Sequence, residues 1–298
     1  MRDLSNMSAS FSIDGTVFQA PSLEAGLYLV ATPIGNLGDI TIRALQVLAS
    51  CAVIACEDTR TSGVLLGRYG ITTEKMSYNE HNADQRGPDL LQRIDAGDAV
   101  ALISDAGTPV VSDPGQRLVN EAIERALPVM PIPGASAPTN ALIASGLPAD
   151  NFRFGGFLPA KAQARSKRLQ DLSDDPATIL FFESPARIVA TLHAAIETHG
   201  PDRQACVARE LTKMHETFHR GRLTDLATEF AEMDRVRGEI VFLVGPATPQ
   251  TFDDNSVDDM LKIALETMKT KAAAAHVAEQ TGLAKQWLYQ RALGLQGR

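Results

Sequence analysis

Apolar runs of strand length, each ending in a polar, turn-rich loop, recur along the first half of this chain. Leu27–Ala31, Ala52–Cys56, Val100–Ile103 and Val129–Ile132 carry no charged residue. Runs this short, without alternation, are the pattern of strands buried on both faces of a parallel sheet. A shorter strand is predicted near Lys75–Tyr78. Helical periodicity fills the gaps. Ile42, Leu45, Leu48 and Ala49 fall on one face behind an Asp39 or Thr41 cap. Leu65, Leu66 and Tyr69 continue a helix to Gly70. Asp89–Gly97, Arg117–Ala126 and a stretch after Ala137 through about Ser145-Gly146 complete the series. The alternation predicts an α/β domain with a mostly parallel sheet over 27–148.

Beyond residue 148 the pattern changes. Phe152–Phe157, Thr178–Phe182, Cys206–Arg209, Glu216–Arg220 and Ile240–Val244 are candidate strands. Ala162–Leu172, Pro185–Thr198 and Thr224–Met233 are candidate helices. The connection between Cys206–Arg209 and Glu216–Arg220 is too short for a crossover helix, so these two must pair antiparallel. A second α/β domain with a mixed sheet is therefore expected over 149–246. Pro246–Asn255 reads as a linker. The tail, 256–298, reads as helices around a Thr281-Gly282-Leu283 turn, a helix-turn-helix-like arrangement with Trp287 and Leu288 in its core. Residues 1–26 lack periodicity and are expected to form a weakly ordered extension.

Composition narrows the function. A chain of 298 residues holds two domains with real cores. A net charge of −8 argues against an electrostatic nucleic-acid binder, so any such contact needs a local basic surface. Lys161, Arg165, Lys167 and Arg168 supply one, read either as a solvated helix face or as a phosphate-contacting surface. The tail from Lys271 supplies another. Cys51, Cys56 and Cys206 lack metal-ligand spacing and suggest reduced thiols in a cytoplasm. No signal-peptide core or membrane span is expected, and no metal is implied.

The candidate chemistry lies where strands end. In open α/β sheets ligands sit outside the carboxyl ends of strands. The run Val100–Ile103 enters Ser104-Asp105-Ala106-Gly107-Thr108-Pro109, which makes Asp105 the first candidate for a ligand-facing residue; the alternative is an acid that closes its own turn. Asp113 followed by Pro114 reads as a helix N-cap and first position. Ala52–Cys56 ends in Glu57-Asp58-Thr59-Arg60, where helix capping explains one acid better than both. His81 follows the next strand. Pro133–Ala137 offers small residues for close approach to a bound group. None of these loops is a G-x-G-x-x-G phosphate cradle.

Taken together, TPIGNLGDITI (32–42), CEDTR (56–60), SDAGTPVVSDPG (104–115), PGASA (133–137), FESPAR (182–187), RELTKMHE (209–216) and RGEIVFLVG (237–245) resemble one family in order and spacing. They resemble the tetrapyrrole-methylase-like superfamily and, within it, the ribose 2′-O-methyltransferases that act on a cytidine in the decoding centre of small-subunit (16S) ribosomal RNA. The resemblance spans about Leu27 to Arg298. It implies two α/β domains with S-adenosylmethionine (SAM) between them and a homodimer. By position it implies cofactor contacts at Pro33, Asp105, Thr108, Ser136, Ala137, Phe182, Leu211 and Gly238. Ala186 and Asn79 stand where members often carry histidine, and Arg237 where lysine is usual. Clustering at strand ends and the motif match make Glu57, Asp58, Arg60, His81, Lys213 and Glu216, with Asn82, the candidate catalytic and RNA-facing set. Glu57, His81, Glu210 and His215 are candidate general bases. The rival readings are a tetrapyrrole methylase of the same superfamily, a nucleotide-dependent oxidoreductase, and a non-enzymatic RNA-binding adaptor.

Overall fold

The computed structural model describes residues 9–247 and 253–296. The chain divides into two compact units after Ala247. The larger opens with an antiparallel hairpin, β1 (Ser10–Ile13) and β2 (Thr16–Gln19). This corrects the expectation of a weakly ordered extension. Phe11 is buried among α-helical leucines, and the Ser12 N–H donates to Tyr69 O at 2.8 Å. Residues 1–8 lie outside the described residues.

The first sheet has the order β5-β4-β6-β3-β7, with every pair parallel. Its strands are β3 (Gly26–Val30), β4 (Val53–Cys56), β5 (Lys75–Ser77), β6 (Ala99–Ile103) and β7 (Val129–Ile132). β6 is buried throughout because its side chains alternate between two cores. Ala101 and Ile103 meet α1 (Ile42–Ser50) and α2 (Thr59–Arg68), while Val100 and Leu102 meet α3 (Ala83–Asp95) and α4 (Gln116–Glu124). Thr41 caps α1, accepting from the Ala44 N–H. Leu45 and Leu48 are buried as expected, but Ile42 in the first turn is 62% exposed. α3 begins six residues before the Asp89 expected from sequence, carrying Pro88 inside it. Gly115, not Asp113, is the N-cap of α4, so the capping reading of Asp113 fails.

The second sheet runs β11-β10-β12-β9-β8. Its strands are β8 (Phe152–Phe157), β9 (Thr178–Glu183), β10 (Gln204–Arg209), β11 (Thr217–Arg222) and β12 (Ile240–Val244). Only β8–β9 is parallel; β10 and β11 form the antiparallel pair that their short connection requires. One face packs on α6 (Ala162–Gln170), α7 (Ile188–His199) and α8 (Leu223–Ala231). The other face receives Ala141 and Leu142 of α5 (Ala137–Ser145), the helix that leaves the first sheet. This sharing makes the two sheets one compact unit.

The smaller unit is α9 (Asp254–Thr267), α10 (Thr270–Thr281) and α11 (Lys285–Leu295) around Val257, Leu261, Val277 and Leu288. Trp287, expected in this core, is 41% exposed and lies under the Arg291 guanidinium. Arg291 in turn pairs with Asp254 and Asp258, which cancels part of the tail's basic balance. Of the expected linker, 248–252 lies outside the described residues, and Asp253 already caps α9. No helix among the described residues is long and apolar enough to cross a membrane.

Candidate active-site cleft

The loop after β6 is tied down before it reaches solvent. Thr32, at the end of β3, exchanges both backbone hydrogen bonds with Gly107, at 2.9 and 3.1 Å. Its hydroxyl donates to Ser104 O at 3.1 Å. The Ser104 hydroxyl donates to Gly107 O at 3.2 Å, and that of Thr108 to Ala135 O at 3.2 Å. Gly107 stands at φ +89, where a Cβ would come within 3.2 Å of an Ile34 methyl. Val110 and Ser112 then take φ +75 and +64 without being glycine. A β-branched residue in that region is strained, and such strain persists where surrounding structure imposes it.

A cleft of about 430 Å³ opens beside this loop, within the range of about 300–1,000 Å³ usual for small-molecule sites. One wall is the loop itself and the first residues of α5. The other is the end of β9 with Leu211 and the Gly238–Val241 segment. Of the residues proposed from sequence to hold a cofactor, Asp105, Thr108, Ser136, Ala137, Phe182, Leu211 and Gly238 all line it. Pro33 does not; it is buried, and its neighbour Ile34 takes the place in the lining. Sequence reasoning missed Ser112, Asp113, Phe157, Glu183 and Glu239, which also line it. The second Asp of SDAGTPVVSDPG was the available signal for Asp113, obscured by the proline after it.

None of Glu57, Asp58, Arg60, His81, Lys213 and Glu216, expected on the RNA-facing side, lines the cleft itself. Asp58 caps α2, accepting from the Arg60 N–H at 2.8 Å, and pairs with the exposed Arg60 guanidinium. That pairing holds its carboxyl down at about 2. His81 is exposed in a turn whose N–H groups bond the Asn79 side chain. Glu216 accepts from the Thr212 N–H at 2.6 Å and closes its own loop. Lys213 reaches Glu210 Oε1 at 2.8 Å and Glu239 Oε2 at 3.2 Å. Burial works to lower the Lys213 ammonium, but these two carboxylates outweigh it.

Glu57 is the exception. It follows β4, next to the end of β6, and the Asp58 N–H donates to Asp105 Oδ1 at 3.2 Å. Burial raises the Glu57 carboxyl, and the facing charges of Asp105 and Asp113 raise it further. Asp113 is raised as well, by burial, with Ser104 opposing and Asp105 adding. Two adjacent strand ends thus bring three acids together, two of them in the cleft wall. Glu210, the other carboxylate weighed as a base, is committed to Lys213 and the Glu239 N–H and is lowered.

A parallel α/β sheet coupled to a mixed sheet, with a cleft at the strand ends, defines a class shared with known proteins. Residues 26–227 match the tetrapyrrole (corrin/porphyrin) methylases, and residues 251–296 match the RsmI C-terminal HTH domain. In fold the chain is similar to a cobalamin-biosynthetic cobalt precorrin-4 methyltransferase (TM-score 0.56, 17% identity, covering 74% of this chain and 94% of that one). In sequence it is similar to the ribosomal RNA small subunit methyltransferase I of Mesorhizobium japonicum, 51% identical over 94% of this chain and 95% of that one. It is also 44% identical to that of Synechocystis sp. over 91% of this chain and 98% of that one. The chain belongs to the ribosomal RNA small subunit methyltransferase I family, within the tetrapyrrole methylases.

Proposed function

We propose that this protein transfers the methyl group of SAM to the ribose 2′-oxygen of a cytidine in the decoding centre of small-subunit (16S) ribosomal RNA. The observation that carries the reading is the meeting, in one cleft without a phosphate cradle, of Asp105, Thr108, Ser136, Ala137, Phe182, Leu211 and Gly238. The lining suits a cofactor made of a nucleoside and an amino acid. Backbone groups at Ser136–Ala137 and Leu211 serve the adenine, Phe182 gives apolar cover, and Asp105 offers a carboxylate to ribose hydroxyls or to a cation. Bound there, SAM supplies an electrophilic methyl group on a sulfonium.

The chain's own task is to position the ribose hydroxyl, exclude water and take the hydroxyl proton. Glu57 is the residue we assign to the proton. Burial and the charges of Asp105 and Asp113 raise its carboxyl, which makes the carboxylate a stronger proton acceptor, and these two neighbours reach the cleft. On this reading the protein acts in the cytoplasm as a homodimer. Its net charge of −8 favours an assembled subunit over naked RNA as substrate.

Transfer of labelled methyl from SAM to small subunits, naked small-subunit RNA and a tetrapyrrole precursor tests it. The expected product is an alkali-resistant 2′-O-methylated cytidine in subunit RNA. Label found only in the tetrapyrrole would refute RNA as the substrate and retain the fold.

A further inference from the structure

One aromatic side chain is held out of the core at the mouth of the cleft. Phe157, the last residue of β8, is 62% exposed and yet lines the cleft. Its ring leans on Phe182 with centroids 5.1 Å apart, and Phe182 is braced edge-on by Phe154 at 4.9 Å. The backbone arranges this exposure. The parallel pairing of β8 with β9 is irregular between Phe154 and Phe157, across Gly155 and Gly156. Gly156 stands at φ +68, and a Cβ on Gly155 would collide with the Phe181 ring. A bulge of this kind re-aims the side chain that follows it.

Four cations lie within the eleven residues after Phe157. Lys161 precedes α6, and Arg165, Lys167 and Arg168 lie within it. No ion pair engages any of them among the described residues, whereas Arg60, Arg153, Arg187, Arg222 and Arg291 are all paired. Lys161 and Lys167 are exposed. Arg165 is not part of a solvated face: it is 6% exposed, its Nε has no partner, and its one bond is to Ala160 O at 3.4 Å. Lys167 and Arg168 also suit the negative end of the α6 dipole, but Lys161 at the N-cap opposes it, so capping does not explain the set. At no more than about 3.6 Å per residue, the Lys161 and Phe157 Cα atoms lie within about 14 Å.

We propose that the segment from Phe157 to Arg168 is the RNA-contacting edge of the cleft: Phe157 stacks a base at its mouth, and Lys161, Lys167 and Arg168 hold the adjoining phosphates. An exposed aromatic beside a basic stripe is the arrangement by which unpaired RNA is held. The proposal rests on the RNA-methylation reading. A second copy of the chain fits this edge less well, because a two-fold contact here would set cations against cations.

The test uses the full chain, with small ribosomal subunits as substrate and RNA binding measured across a salt series. Phe157→Ala is expected to raise the KM for RNA by about 5- to 150-fold, the range for loss of one base–aromatic stack. Phe157→Trp is expected to restore it. KM for SAM, read in the same assay, separates stacking from damage to the cofactor cleft. The triple variant Lys161→Ala/Lys167→Ala/Arg168→Ala is expected to flatten the slope of log K against log salt by about 2, at about 0.7 per phosphate contact on a single strand. Wild-type protein that methylates RNA alongside variants with unchanged KM and salt slope overturns this proposal alone. Wild-type protein that methylates no RNA overturns the function and this edge with it. Loss of self-association in Phe157→Ala, with RNA kinetics intact, would assign the face to a second copy and overturn the proposal.

Discussion

Gly238 tests how the second wall of the cleft is built. It stands at φ +89, and a Cβ there would lie within 2.5 Å of Glu210 Oε1. That oxygen accepts from the Glu239 N–H at 3.0 Å and from Lys213 Nζ at 2.8 Å. Glu210 itself is held at φ +54. Gly238→Ala therefore acts twice. An L-residue in this region costs about 1–2 kcal/mol. Expelling the carboxylate breaks two charge-assisted bonds, each about 1 kcal/mol here because the Lys213 and Glu210 side chains are 28% and 20% exposed. The sum is about 3–4 kcal/mol. At about 2–4 °C per kcal/mol, Tm falls by about 6–16 °C. Glu210→Ala alone should cost about 2 kcal/mol. In that background Gly238→Ala keeps only the conformational part, so the double variant should be no worse than Gly238→Ala. The non-additivity of about 2 kcal/mol is the signature of the overlap. Urea unfolding of the four proteins measures it, and KM for SAM should rise with Gly238→Ala because Leu211 and Gly238 line the cleft. Strictly additive costs, or a Gly238→Ala protein melting within about 2 °C of wild type, would refute the reasoning.

Other consequences are as direct. Glu57→Gln should lower kcat by about 10²–10⁴ with KM for SAM near wild type, and wild-type kcat should fall with acidification as the raised Glu57 carboxyl is protonated; an unchanged kcat removes Glu57 from the chemistry. Burial, helped by Arg203, lowers the His199 imidazole to about 4, and its Nε2 is buried without a partner. Because the unfolded chain binds that proton more readily, stability is complete above about pH 6.5 and is lost as pH falls toward 4, by on the order of 3 kcal/mol. His199→Gln should flatten the decline in urea midpoint between pH 7 and 5, and an equal decline in both proteins would exclude His199 as its source. Arg187→Met takes away the cation that sits 2.7 Å from the fully buried Glu183 carboxylate and leaves the Ser184 N–H and the Thr191 hydroxyl as its donors. The expected loss is about 2–4 kcal/mol, recovered in part by adding Glu183→Gln; calorimetry showing equal Tm for Arg187→Met and wild type would contradict a stabilising pair.

Much of the fold was legible because its signals are local. Buried-strand runs, caps such as Thr41 and turns such as Thr281-Gly282-Leu283 are written over a few residues. Errors fell where tertiary context overrode a local rule. Asp-Pro reads as a helix start, yet Asp113 is drawn into the cleft wall while Gly115 caps α4. Trp287 reads as core by size, yet the small unit fills its centre with Val277, Leu288 and alanines and leaves the indole beneath Arg291. Phe11 sat in a stretch without periodicity, yet a short hairpin suffices to bury it.

By itself the chain's order of apolar and polar positions determined the alternating strands and helices, the antiparallel β10–β11 pair and the loops that face a ligand. Tertiary structure alone decided that α5 would serve the second sheet, that Glu57, Asp105 and Asp113 would face one another, and that a glycine bulge would turn Phe157 to the mouth of the cleft. The reason is range. Helix and strand signals arise between neighbours a few residues apart. The cleft draws its walls from Ile34 to Val241, and the charge and exposure of each group there are set by atoms its own sequence neighbourhood never meets.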